Sequence, residues 1–173
     1  MVTVRRAIPG DEHVLAELAL RIFLDTFGPQ NDPDDIRIHA ARSYGPEIQL
    51  RELTDPSLTY FIAEVDSLPV GFAMIGEADS PSCMELDRPI ELFRFYVDKA
   101  WHGKGIAVPL MDAAYEEARR RGGRTICLSV WEKNPRAIRF YEKMGYRTAG
   151  THPYILGNDV QTDWVMTREV PGG

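Results

Sequence analysis

The chain predicts one mixed α/β domain spanning residues 1–173, and three observations carry that prediction. Its 173 residues suit a single domain with a sizeable core. Segments of strand period and helix period alternate along it, with no repeat, linker or low-complexity tract. A strand, a helix and a second strand follow one another between residues 90 and 130, which implies a parallel pair joined by a right-handed crossover.

Residues 2–7 alternate as a short strand, and PGDE then breaks it and offers Gly10 or Asp11 as a helix cap. Val14, Leu15, Leu18, Ile22, Phe23 and Thr26 fall at helical spacing, predicting an amphipathic helix over 11–27. GPQNDPDD reads as a loop, and 36–44 and 48–53 as two shorter helices separated by Gly45-Pro46. TYFIAEV (59–65) and VGFAMIG (70–76), joined by DSLP, read as an antiparallel hairpin. A polar loop over 79–89 leads to a strand over 90–97, and then to a glycine loop and a helix over 105–121 that Gly122-Gly123 stops. TICLSV (125–130) is a short buried strand. Asn134-Pro135 opens another helix, with Ala137, Ile138, Tyr141 and Met144 at helical spacing and Gly145 beyond its end. Strands over 146–152 and 160–168, joined by a long turn PYILGND, complete the reading.

Composition narrows the function classes. Hydrophobic residues at 44% and charged residues at 27% are ordinary for a soluble domain. A net charge of −6 argues against a nucleic-acid partner, which calls for a basic face. No run approaches the roughly 18 apolar residues of a membrane span, and the start lacks a secretion signal, so a cytoplasmic, reduced setting is expected. Cys83 and Cys127 lie far apart and outside any metal-ligand spacing. They read as buried or incidental thiols rather than a disulfide, and no metal site is expected.

The sequence WHGKGIAVPL, residues 101–110, asks why two glycines and a lysine stand between an apolar strand and a helix. Glycine serves where the backbone needs positive φ or where a ligand approaches closely. At a helix start, that ligand is often an anion, because the first N–H groups are unpaired. The loop lacks both the Walker GxxxxGK[ST] spacing and the dinucleotide GxGxxG fingerprint. By itself it fits a tight strand-to-helix turn equally well.

Its company is more particular. Phe95-Tyr96-Val97 running into HGKGIAVPLM, followed by LSVWEKNPRAIRFYEKMGY (128–146), resembles the acetyl-coenzyme A site of the GNAT superfamily of N-acetyltransferases. The family loop [Q/R]-x-x-G-x-[G/A] falls on His102, Gly103, Lys104, Gly105, Ile106 and Ala107. His102 departs from the usual Gln or Arg, which puts a side-chain contact to the phosphates in doubt, while the backbone part of the motif is intact. FLDTFGPQN, VWEKNPRAIRFYEKMGY and GTHPYILGNDVQTDWVM resemble the bacterial polyamine, PaiA-like, branch of that superfamily.

The resemblance implies a mostly antiparallel sheet with a central parallel, splayed pair, flanked by helices. It implies acetyl-CoA as acetyl donor, its pyrophosphate cradled by the backbone of residues 103–107 and its pantetheine arm held by the main chain of Phe95 and Val97. Lys104 adds charge there or is simply solvated. Asn134 caps its helix or bonds the cofactor or substrate. Direct transfer to an amine must remove a proton from the ammonium and supply one to the departing thiolate. Tyr141 matches the family's acid, against a reading as a core aromatic. Glu91 resembles the base of the histone acetyltransferase branch, against a solvated strand-end glutamate or an ordered water in its place. Strand alternation puts Glu91 with Phe93, Phe95 and Val97 on one apolar face. His152 and Tyr154 are weaker, substrate-side candidates.

The expected activity is acetylation of a small-molecule primary amine, such as a polyamine, in a ternary complex. The rivals are a protein or amino-acid acceptor, or an acyl-CoA sensor that performs no transfer. Asp32, Asp34, Asp35, Glu85 and Asp87 are candidates for attracting a polycation. Dimers are common in the family, which makes a homodimer an expectation for the assembly.

Overall fold

The computed structural model describes residues 1–172. Its seven strands are β1 (Val2–Arg6), β2 (Leu58–Val65), β3 (Leu68–Glu77), β4 (Pro89–Val97), β5 (Thr125–Trp131), β6 (Arg147–Leu156) and β7 (Asp159–Glu169). The helices are α1 (Glu12–Phe27), α2 (Pro33–Ser43), α3 (Pro46–Thr54), the single turn α4 (Pro81–Met84), α5 (Ala107–Arg120) and α6 (Pro135–Lys143). The strands form one sheet in the order β1-β2-β3-β4-β5-β7-β6, antiparallel throughout except for the β4–β5 pair. This is the mixed sheet with one central parallel pair that the sequence predicts. Among the described residues, no helix is long and apolar enough to cross a membrane.

Two apolar layers sandwich the sheet. Leu110, Met111, Ala114 and Ala118 of α5 pack with Ala73, Ile75, Leu92, Ile126, Leu128 and Met166 on one face. Leu15, Leu18, Ala19 and Ile22 of α1 pack with Tyr60, Ile62, Phe72 and Met74 on the other. The β2–β3 hairpin turns on Asp66 and Ser67, both at positive φ (50° and 67°), the geometry of a two-residue primed turn.

Three departures from the sequence reading bear on the site. The first is a β-bulge in β4. Met74 pairs with Arg94 but Ile75 pairs with Leu92, so Phe93 is an extra residue. One extra residue exchanges the faces beyond it. Leu92, Phe95 and Val97 therefore join the α5 layer, and Phe93 and Tyr96 the α1 layer. The predicted shared face of Glu91, Phe93, Phe95 and Val97 does not exist.

The second concerns the cysteines, which are joined in a disulfide, Cys83 of α4 to Cys127 of β5, with Cα atoms 6.0 Å apart. They are 44 residues apart in sequence, but parallel pairing sets Cys127 beside Glu91, and the segment preceding β4 folds over that point. The expectation of unpaired thiols is overturned, and with it the cysteine argument for a reducing setting. The third is β6, which runs through PYIL to a tight turn at Gly157-Asn158, so no long turn exists there. Pro153 reads as a turn residue, but β6 is an edge strand, where a missing N–H is tolerated.

Candidate active site

β4 and β5 pair only over Pro89–Glu91 and Thr125–Cys127, yet β4 continues to Val97 and β5 to Trp131. Beyond Glu91 the two strands part, and a cleft of about 1190 Å³ runs through the gap from the α5–α6 side to the α1–α2 side. Asp98 N–H donates to the Val70 carbonyl (2.8 Å), which fixes the phase of the β3–β4 ladder. Alternation then turns the N–H and C=O groups of Phe95 and Val97 away from β3 and into the gap. An extended ligand with its own amides fits that edge as an added strand.

The glycine loop lies at one mouth of the cleft. Gly103 and Gly105 have φ of 74° and 79°, a conformation that other residues adopt only with strain. A Cβ at either would meet nothing within 4 Å, so the turn itself, not crowding within the chain, demands glycine. α5 begins at Ala107 with no side-chain cap on its first turn, leaving N–H donors of the loop and helix start unpaired among the described residues. Pro109 fits in that first turn, where its missing N–H has no intrahelical partner to lose. Unpaired N–H groups arranged in this way suit an anion.

His102 Nε2–H donates to the Val97 carbonyl (2.8 Å) and ties the loop to the end of β4, while Nδ1 is enclosed without a partner. Burial lowers its pKa, so the ring is neutral at pH 7. Its donor is thus spent inside the chain, as the departure from Gln or Arg forewarned. Lys104 does not line the cleft, and its ammonium sits 4.9 Å from the centre of the Trp101 ring. The cations that do line it include Arg136, Arg139 and Lys143 of α6, a basic stripe at helical spacing that sequence reasoning passed over.

Asn134 accepts from Ala137 N–H (3.2 Å) and so caps α6, while also lining the cleft. About two turns on, Tyr141 is 7% exposed and packs edge-on against Phe95 and Tyr146, yet it too lines the cleft. Its hydroxyl bonds no described residue. Burial pushes the phenol well above the usual tyrosine range, so it is a proton donor at any working pH.

Glu91 is buried and lines the cleft, but on the face opposite Phe95 and Val97. Its carboxylate accepts from Asp79 N–H (3.1 Å), Ser80 N–H (3.2 Å) and Ser80 Oγ–H (2.6 Å). The bulge thus turns Glu91 toward the α1 side and into the loop that carries α4. His152 and Tyr154 also line the cleft. His39 Nε2 stands between Ser43 Oγ and Tyr154 Oη, 3.2 Å from each, and burial lowers its pKa as well.

None of Asp32, Asp34, Asp35, Glu85 and Asp87 reaches the cleft. Asp32 caps α2, Asp35 accepts from Asn158 N–H, and Asp87 pairs with Arg124. The acids that do line it are Asp25, Asp79, Glu91 and Asp163. Asp163 escaped the sequence reading, although its alternation with Val165 on β7 was a usable signal of an inward position. Burial pushes its carboxyl up to about 6.

The parallel pair thus opens into a cleft that has unpaired loop N–H groups at one mouth and is lined by the Tyr141 phenol. Residues 16–146 match the acetyltransferase (GNAT) family model. The chain belongs to the GNAT family. A named but uncharacterised N-acetyltransferase of Mycobacterium tuberculosis is 33% identical over 160 residues, covering 92% of this chain and 98% of that protein. The spermine/spermidine N(1)-acetyltransferase of Bacillus subtilis is 32% identical over 82 residues, 47% of this chain and 54% of that protein. Among solved structures, the PaiA N-acetyltransferase of Thermoplasma acidophilum in complex with coenzyme A superposes with a TM-score of 0.80 at 21% identity, over 98% of this chain and 99% of that one. The putative acetyltransferase yncA of Salmonella typhimurium with acetyl-CoA gives 0.75 at 18% identity, over 100% and 96%. This GNAT protein is an acetyl-CoA-dependent N-acetyltransferase.

Proposed function

We propose that the enzyme acetylates a primary amine of a small cationic acceptor, a polyamine such as spermidine, by direct attack in a ternary complex. One observation carries this reading: the gap between β4 and β5 joins the anion cradle on one side to an aromatic, acid-lined chamber on the other. The partial match to the Bacillus spermine/spermidine enzyme supports the acceptor class.

The pyrophosphate would lie on the N–H groups of Gly103, Gly105, Ile106 and Ala107, the Lys104 N–H being taken by the Trp101 carbonyl, with Arg136, Arg139 and Lys143 supplying charge along α6. Phe95 and the Val97 N–H hold the pantetheine arm, and the Val97 carbonyl serves His102 instead. The thioester then stands near Tyr141. The ammonium loses its proton through water toward Glu91, and the nitrogen lone pair attacks the thioester carbon. The C–S bond breaks as the Tyr141 hydroxyl proton passes to the departing thiolate, and the second proton leaving the acetylated nitrogen returns through water to the Tyr141 oxygen.

Thiol release from acetyl-CoA with a panel of amines, on wild type and Tyr141→Phe, tests this. Turnover with spermidine or spermine that collapses in the variant is the expected result. Turnover only with amino acids or peptides, or an unchanged Tyr141→Phe rate, defeats the acceptor class or the acid respectively.

A further inference from the structure

Asp163 stands on β7 between Trp131 of β5 and His152 of β6 and is only 6% exposed. Its buried neighbours in kind, Glu91 and Glu117, are held by hydrogen bonds. The Asp163 carboxylate receives none from any described residue, and no described Lys or Arg pairs with it; His152, opposite it on β6, exerts only a coulombic pull that burial outweighs. Nor are its oxygens sealed in. Among the described residues the enclosed unpaired side-chain atoms are Ser82 Oγ and His102 Nδ1, so the open valences of Asp163 face the cleft that it lines.

The surroundings suit a cation. Phe27, Tyr96, Trp131, Tyr154 and His39 line the same chamber, with Phe27 5.9 Å from Trp131 and 6.3 Å from Tyr96 between ring centres. Arg94, which also lines the cleft, is already taken up by Glu52, Tyr60 and the face of Tyr44. A mostly buried carboxylate without a partner is unfavourable unless something entering the cleft supplies the charge.

We infer that Asp163 anchors a second ammonium group of the acceptor, and hence that the preferred substrates are aliphatic di- or polyamines rather than monoamines. This rests on the amine-acetylation reading above and adds the residue that sets substrate class. The anchored nitrogen cannot be the reacting one, which must shed its proton to attack. A cation held equally in the ground and transition states lowers KM and leaves kcat alone, so Asp163 is a binding residue and not part of the chemistry.

The test is calorimetric titration of 1,4-diaminobutane, spermidine and n-butylamine into wild-type enzyme with CoA, and into Asp163→Asn, together with thiol-release kinetics. The expected result is diamine binding at least tenfold tighter than butylamine in the wild type, a preference lost in Asp163→Asn. The variant's KM for the diamine should rise at least tenfold, with kcat within twofold and CoA affinity unchanged. Equal binding of diamine and monoamine by the wild type, which needs no variant, overturns the inference. So does a diamine preference retained by Asp163→Asn. Tight diamine binding without thiol release would defeat the polyamine activity while leaving the anchor standing, which separates the two failures.

Discussion

Glu117 and Asp163 are two carboxylates of similar burial, 4% and 6% exposed, one on α5 and one on β7, and the chain treats them differently. Glu117 near the end of α5 is surrounded. Arg120 and Arg121 donate to it at 2.6 and 2.7 Å, Thr59 at 2.9 Å, and Arg6 lies 3.7 Å away. Burial pushes that carboxyl up, but the donors outweigh it and hold it down at about 2. Asp163 has no such partners, and burial prevails at about 6. The first acid ties a helix end to β2. The second is kept at the expense of stability, which is the usual mark of a group reserved for a ligand.

The comparison breaks most visibly at Glu117. Glu117→Ala leaves Arg121 and Thr59 facing an unfilled buried site and should lower unfolding free energy by about 3 kcal/mol in urea titrations. Because the folded pKa is depressed, the carboxylate's contribution is complete above pH 4.5 and fades as pH falls toward 2, so the gap between wild type and variant should shrink over that window. A gap independent of pH would show packing, not charge, at work. Inside the cleft, Tyr141→Phe removes one hydroxyl that bonds no described residue. Stability should barely change, while kcat falls about 100-fold, equivalent to about 2.7 kcal/mol of barrier.

Asp163→Asn should go the other way. Its folded pKa is raised, so the stability it contributes when protonated is present below pH 3.8 and lost as pH rises through about 6. The variant should therefore be the more stable protein at pH 8, by on the order of 1–2 kcal/mol, and indistinguishable below pH 3.8. A less stable variant at pH 8 would mean that Asp163 holds the fold together after all. The smallest effect belongs to Glu91→Gln. Three donors already occupy that carboxylate, and water can carry the ammonium proton, so kcat/KM should fall less than about tenfold at pH 8. A larger loss would promote Glu91 to an obligatory base.

How far the sequence could be read follows from whether each signal is local. The glycine loop, the Asn134-Pro135 helix start and the β2–β3 hairpin are decided by neighbouring residues, and their positions follow from spacing. The orientation of Glu91 is not local. It depends on an extra residue at Phe93, and one-residue alternation gives no warning of a bulge. The Cys83–Cys127 disulfide depends on parallel pairing between strands separated by a whole helix. Residues of the acceptor chamber come from α1, α2, β4, β5, β6 and β7, and only the assembled sheet shows that Asp163 joins them while Asp32, Asp34 and Asp35 stay outside.

The parted strands carry a thermodynamic consequence. A sheet normally satisfies its interior backbone with its own neighbours, yet here the edge of β4 past Glu91 looks onto the cleft instead of onto β5. With acetyl-CoA as the proposed missing rung, cofactor binding and folding share one free energy. At a cofactor concentration 100 times Kd, the native state gains about 2.7 kcal/mol. The melting temperature of this enzyme is then a readout of cofactor supply, climbing with the logarithm of its concentration.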